Sequence, residues 1–527
     1  MYRRSRNPPL PPALSLPSEL TARIFTIYRD EEDVAAEKRA THSRSGAGLG
    51  PNPALLVLLA ICSAWRTIAF DTATLWSTIS FGFAWFNARS PAKRQAMLEF
   101  WIFNSKDALL DVQFYLIPVP IALTALYRDE QAAYDTWLSC FAALRATAHR
   151  WRSCRTIGSD FPRVDEPRPL LPITITGWQA LPPPSNAATP TYPETEPFDT
   201  DFTSLAELHI NDSWNRGRTS GGRFIESILQ RCTNLHRLRI RMNPGIALGA
   251  LSSEQWSRIT TLHLDELPVG LAVYALQSAP CVEYLTFSSR KVDEITDNIR
   301  ANASSYTVPV PLDSLVTLRL ATEADLGLLA HITTPRLTRL ELGERLLVAA
   351  HTQLERFTLR SRFSLEELYI GSTAMSSVQG IITTVHSFLR QLTLVASEIS
   401  SAELAEFVGE IASSPGFLPN LERLHLEDVL ICVDLALVSQ MLLHRRARFK
   451  DLTLVFGQGA SVRLFGLAQA MRVFDQLHLA GMRIRLVGLE ETGQGTSAQP
   501  AGKSLSEHAE ALAAKFYERL THCTLDS

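Results

Sequence analysis

One hexapeptide pattern, leucine-x-x-leucine-x-leucine, returns from residue 205 to residue 479 of this 527-residue chain. It begins at Leu205, Leu235, Ile259, Val282, Leu315, Leu337, Leu365, Leu389, Leu421, Phe449 and Phe474, with starts 22 to 33 residues apart. In an extended strand the last two apolar residues, two positions apart, point to the same side, while the first packs just before the strand. One such strand cannot hide that side from water, but stacked copies share a continuous core. The segments between them read as helices, "GRFIESILQRCTN" before Leu235 and "AELAEFVGEIASS" before Leu421. "LERFTL" at Leu354 fits the spelling but falls only 11 residues before Leu365, so its status stays open.

The pattern and its spacing resemble leucine-rich repeats, whose members run about 20–29 residues. The resemblance implies an α/β fold, a curved solenoid of alternating helices and strands over residues 204–488. Such a surface would display the x positions of its strands, including Glu207, His209, Arg237, Arg239, Arg319, Arg339, Glu341, Tyr369, Arg423 and His425. Taken one at a time, these read first as solvated strand positions.

The other constraint lies at the front. "LSLPSELTARIF", Leu14 to Phe25, places Pro17 at a first helical position and Glu19 in the first turn, where both suit a helix start. Leu16, Leu20, Ile24 and Ile27 form one apolar stripe, and the helix is expected to fade near Tyr28. A charged, then Gly/Ser/Pro-rich stretch over 29–53 reads as a flexible insertion. A second helix is expected from Ala54 to about Ala69, with Leu55, Leu58, Leu59, Cys62, Trp65 and Ile68 on one face. Leu56, Val57 and Ile61 point elsewhere, and Leu75 and Trp76 add bulk. A helix apolar nearly all round needs partners on more than one side, and about sixty residues bury this much apolar surface poorly unaided. Packing against another protein would cover the remainder.

The ordered residues Leu16, Pro17, Glu19, Leu20, Ile24, Phe25, Leu58, Leu59, Cys62, Trp65, Arg66, Ile68, Ala69, Leu75 and Trp76 resemble the F-box, in the form common in mushroom-forming fungi. Ile61 stands where that family usually has valine. The resemblance covers about a tenth of the chain. It implies a three-helix module over residues 1–80 that docks on the Skp-type linker protein, and through it a cullin, in an SCF-type cullin-RING ubiquitin ligase. Leu16, Pro17, Leu20, Ile24, Phe25, Leu58, Leu59, Cys62, Trp65, Leu75 and Trp76 would form the partner-binding helices and their core. Trp65 reads as core before contact. The chain would then be a substrate receptor with no catalytic residues, holding an unknown protein substrate on its repeats. The alternative expectation is a repeat scaffold that takes no part in ubiquitination, its front helices packed on its own repeats.

Between these regions, residues 81–158 read as an α/β connection leading into the solenoid: a strand in "STISFGFAWF", a helix in "RQAMLEFWIFNSK" with Met97, Phe100, Trp101 and Phe103 inward, and a strand in "ALLDVQFYL". A further helix is expected over about Gln131–Arg150, with Trp137, Leu138, Phe141, Leu144, Ala148 and Trp151 on its core face. Prolines crowd residues 159–203, an extended linker in which "PITITGW" could add a strand. Residues 489–503 form a polar linker, and 504–527 a helix opened by the capping-box pair Ser504 and Glu507.

Composition excludes more than it identifies. A net charge of −3 gives no drive towards nucleic acid or anionic membrane, so the clusters Arg145–Arg155 and His444–Lys450 read as solvated faces. The apolar run Ala54–Cys62 is too short to span a bilayer, and prolines 8, 9, 11, 12 and 17 interrupt any signal peptide begun by Arg3, Arg4 and Arg6. Seven dispersed cysteines without a C-x-x-C pair fit buried thiols in a reducing compartment. The expected location is cytoplasmic or nuclear. No Walker A, G-x-S-x-G or H-E-x-x-H motif occurs. "GAGLG" at Gly46–Gly50 reads as loop filler, and neither a cofactor nor a metal is expected.

Overall fold

The recurring hexapeptides become parallel strands. The computed structural model describes residues 16–42, 53–82, 91–115, 130–157, 201–211, 222–241, 249, 251–289, 308–343, 350–371, 373–395, 399–429, 434–456 and 467–487. The chain divides into two compact units, Met1–Ile259 and Thr260–Ser527.

In the first unit, helices α1 (Ser18–His42), α2 (Pro53–Ile61) and α3 (Ser63–Asp71) lead through a 3-10 turn, Ala73–Trp76, into strand β1, Thr78–Gly82. Then come β2 (Leu110–Tyr115), β3 (Trp151–Ile157), β4 (Glu207–Asn211) and β5 (Arg237–Arg241). Each pairs in parallel with the next. Helices Pro91–Asn104, Glu130–Arg145 and Gly222–Arg231 return the chain between strands, as parallel pairing requires.

In the second unit the strands are β6 (Thr261–Asp265), β7 (Tyr284–Phe287), β8 (Val310–Pro311), β9 (Thr317–Leu320), β10 (Ile332–Thr333) and β11 (Arg339–Leu342). They continue with β12 (Glu367–Ile370), β13 (Gln391–Val395), β14 (Arg423–Val429), β15 (Asp451–Phe456) and β16 (Arg483–Val487). Their order is β6-β7-β9-β11-β12-β13-β14-β15-β16, while β8 and β10 form a separate parallel pair. Both units are thus α/β, with parallel strands in chain order, an arrangement compatible with a solenoid.

The register explains the spelling. Leu318, Leu340, Leu368, Leu392, Leu424 and Leu452 are mutual neighbours across β9 to β15. The second inward residue of each rung, such as Leu320, Leu342 and Ile370, makes a parallel row, and all of these are buried. The leading residues Leu315, Leu337, Leu365 and Leu389 are buried as well.

The inward positions are also filled by residues outside the leucine spelling, and two spelled segments are not strands. Upstream, Trp76-x-x-Ile79-x-Phe81 and Trp151-x-x-Cys154-x-Thr156 take the same inward positions with other residue types, all buried. Trp151 therefore opens β3; the expected long helix stops at Arg145, and a 3-10 turn, Ala148–Arg150, follows it. Downstream, the Phe474 segment belongs to helix Leu467–Leu479 and the Leu354 segment to helix Ala350–Ser361. An i, i+3 apolar pair suits a helix as well as this rung, so the third residue decides. Leu359 is 70% exposed and Leu479 86%, whereas the third residue of every true rung from β4 to β15 is buried. In helix Pro91–Asn104, Leu98 and Trp101 are buried and Phe100, although partly exposed, packs edge to face on Trp76 at 5.4 Å; Phe103 faces outward. Side chains of Trp137 and Leu138, the 159–200 linker with "PITITGW", Gly46–Gly50, and the expected elements after residue 487 lie outside the described residues.

Arginines tie successive turns. The last carbonyls of a helix have no partner within it. Arg445 supplies one, donating from Nε to Ile411 O at 2.9 Å and from Nη2 to Ser414 O at 2.7 Å and Phe417 O at 2.8 Å. Arg360 does the same for the Leu329 and Ile332 carbonyls, and Arg150 for Ala108 O at 2.8 Å. Another buried tie is Asp325, whose carboxylate accepts the backbone N–H of Ser289 and of Thr322.

Leu318→Ala is expected to cost about 2–5 kcal/mol in urea unfolding, against at most about 0.5 kcal/mol for its outward neighbour Arg319→Ala; equal losses would contradict the assigned register. Burial pushes the Asp325 carboxyl above its ordinary value, outweighing the opposite pull of the bonds from Ser289 and Thr322. The folded chain therefore holds this proton more tightly than the unfolded chain. The resulting stability is full below the ordinary carboxylate value and is lost as pH rises through the raised one. Asp325→Asn should flatten this component of the stability–pH curve, and an unchanged slope would rule Asp325 out as its source.

Candidate functional site

Helix α1 is amphipathic in the unusual sense. Its buried side is Thr21, Phe25 and Arg29, one residue per turn, while Leu16, Leu20, Ile24 and Ile27 face outward. Leu20, Ile24 and Ile27 are each about half-exposed, at 50, 49 and 51%. The side with the aliphatic stripe is thus the one left to solvent, and the polar Thr21 and Arg29 go inside.

Each inward polar group is satisfied. Thr21 donates its backbone N–H and its hydroxyl to Pro17 O, at 3.0 and 3.1 Å. The Arg29 guanidinium donates to the carbonyl of Thr74, in the turn leading to β1. The helix also runs on to His42 instead of fading near Tyr28, so the first part of the expected flexible insertion is helical. Arg29 is part of the reason: the anchoring residue lies one position past the expected end.

Helices α2 and α3 replace the single expected helix because Cys62 adopts an extended backbone, φ −158° and ψ 167°. Its Sγ accepts the Trp65 N–H at 3.4 Å, an N-cap for α3. Arg66 Nε then donates to Leu59 O at 2.9 Å across the break. Inside, the Phe25 and Trp65 rings meet edge to face with centroids 5.0 Å apart. The indole nitrogen of Trp65 is buried with no hydrogen-bond partner among the described residues, so Trp65 contributes through its ring.

Trp76 closes the assembly. It is fully buried, donates from Nε1 to Ala69 O at 2.8 Å, and stacks on Phe70 at 5.6 Å. It also meets Trp101 edge to face at 4.9 Å. One side chain therefore serves both the α3 helix and the first strand-to-strand return helix.

The eleven residues singled out from sequence separate into three sets. Leu16, Pro17, Leu20 and Ile24 are exposed; Phe25, Leu58, Leu75 and Trp76 are buried; Leu59, Cys62 and Trp65 lie between. The exposed apolar surface also includes Ile27, Tyr28, Leu56, Val57 and Ile61, which were not among them. For Leu56, Val57 and Ile61 the signal was the run "LLVLLAI", in which no helical face is polar, and for Ile27 it was the stripe of α1.

The outward strand positions form charge pairs. Arg237 meets Glu207 at 2.7 Å in the first unit. In the second, Arg339 bridges Glu341 at 2.7 Å and Glu367 at 3.2 Å, and Arg485 lies 3.5 Å from Asp451. Just before the strands, Lys450 donates to Glu422 at 2.6 Å, and this bond holds the Glu422 carboxyl below its usual range. Among the described residues no three His, Cys, Asp or Glu side chains gather as metal ligands would, and no helix is long and apolar enough to cross a membrane.

No family model matches the chain, and no curated protein does.

Ile24→Ala is expected to change unfolding stability by no more than about 0.5 kcal/mol, while Phe25→Ala, one residue on, should cost about 3–5 kcal/mol. A large loss from Ile24→Ala in urea titration would mean that the outward face is already covered.

Proposed function

We propose that the chain is the substrate receptor of an SCF-type cullin-RING ubiquitin ligase. Its α1–α3 helices, an F-box in this reading, dock on the Skp-type linker protein and through it on a cullin. Its strand ladder, a leucine-rich-repeat solenoid in this reading, holds a protein substrate. The receptor itself performs no chemistry.

The observation that carries the reading is the inverted face of α1. Leaving Leu20, Ile24 and Ile27 half in water forgoes on the order of 1 kcal/mol per residue, a cost that a partner's groove recovers by covering them. The F-box resemblance names the partner class, and the exposed Leu16 and Pro17 are part of both the motif and the face. A scaffold whose front helices pack on its own repeats would bury these two residues, and they are exposed.

The test is co-purification of the full chain with a Skp-type linker protein. A Leu20→Asp, Ile24→Asp double variant should lose binding while keeping the wild-type circular dichroism and unfolding midpoint. Phe103→Asp, on the exposed side of helix Pro91–Asn104, should bind as wild type does. A wild-type chain that fails to retain the linker would favour the scaffold.

A further inference from the structure

Seven of the 51 basic residues in this chain are lysine; the rest are arginine. Residues 107–290 contain no lysine, nor do residues 292–449. The described strands carry Arg152, Arg155, Arg237, Arg239, Arg241, Arg319, Arg339, Arg423, Arg483 and Arg485, and none carries a lysine.

Packing accounts for only some of these arginines. Arg445 and Arg150 use the planar fork, each reaching several acceptors at once, and lysine cannot reproduce that. Two strand arginines also use the fork, Arg152 donating from Nε and Nη2 to Asp111 and Arg339 reaching both Glu341 and Glu367. The Arg237 pair is different. Arg237 holds Glu207 through a single nitrogen at 2.7 Å, and Lys450 holds Glu422 in the same way at 2.6 Å. A lysine therefore suffices for such a pair, yet the strands use arginine. The property that separates the two residues at these positions is the nucleophilic amine.

We propose that the arginine-for-lysine composition of the ladder keeps the receptor from being ubiquitinated by its own ligase. The inference rests on the ligase-receptor reading above. In ubiquitin transfer a neutral lysine ε-amine attacks the thioester carbonyl joining the ubiquitin C-terminus to the conjugating enzyme's cysteine. A C–N amide bond forms, the C–S bond breaks, and the thiol departs with the proton that the amine releases. A guanidinium stays protonated and offers no free electron pair. A surface that holds substrate is itself held near the thioester, at an effective concentration comparable to that of the substrate. Any lysine there competes as acceptor. Arginine keeps the cross-strand charge pairs and removes the competitor. What self-modification remains falls on the few lysines elsewhere, among them the exposed Lys93 and Lys106.

The experiment uses the full chain bound to a Skp-type linker and a cullin-RING core, with activating and conjugating enzymes, ubiquitin and ATP. Wild type is compared with the quintuple variant R237K, R239K, R319K, R423K and R485K, and with R319K and R485K singly, each checked for wild-type unfolding. The quintuple variant should acquire ubiquitin several-fold faster, with conjugates mapped by mass spectrometry to the introduced lysines, while linker binding is unchanged. Equal rates with intact linker binding would overturn the inference and leave the receptor reading standing. Failure of the wild-type chain to bind the linker would overturn both.

Discussion

A strand of four or five residues with two inward leucines cannot bury either without a neighbour in register. Everything else in the ladder follows from that shortfall. Parallel pairing aligns Leu318, Leu340 and Leu368 into one row, and parallel pairing in turn demands a return path between strands. The return helices create free carbonyls at their ends, and Arg150, Arg360 and Arg445 each spend a guanidinium on the turn before. Stability in such an array is close to a sum over rungs and their interfaces. An outward substitution is then local in effect, and an inward one is felt by both neighbouring rungs.

The front helices obey the opposite logic. Phe25, Leu58, Leu75 and Trp76 supply a small core, but the stripe of α1 that would serve best as core is turned away from it. Thr21 and Arg29 are tolerated inside because backbone carbonyls of Pro17 and Thr74 receive them. A buried guanidinium that lost its acceptor would cost several kcal/mol, so the Arg29 bond fixes which way α1 faces. The apolar face is outward by construction.

How much of this was legible in the sequence depends on what the spelling distinguishes. Rungs written with leucine, isoleucine, valine or phenylalanine at the three positions, from Leu205 to Phe449, were readable because strand alternation and the leading residue agree. Rungs written with Trp76 or Trp151 were not, since tryptophan followed by isoleucine or cysteine matches no leucine pattern although these residues take the same inward positions. The false rungs at Leu354 and Phe474 shared the i, i+3 pair with a helix, and only burial of the third residue separates the two. At the front helices the sequence located the helical segments but could not say which side of α1 was buried, because the aliphatic stripe reads as the inward face and the polar Thr21 and Arg29 as outward ones. Nor could it foresee that Cys62 would cap α3 and divide one helix into two.

Trp76 has a practical consequence for anyone who wishes to borrow the front helices. Its ring meets Phe70 of α3 and also Phe100 and Trp101 of the next return helix. A cut after residue 76 would leave the tryptophan without its partners in that helix and separate β1 from the turn that starts it. The smallest portable piece therefore ends not at the motif boundary but beyond Asn104, and a graft that carried the motif alone would bring along an unfinished core.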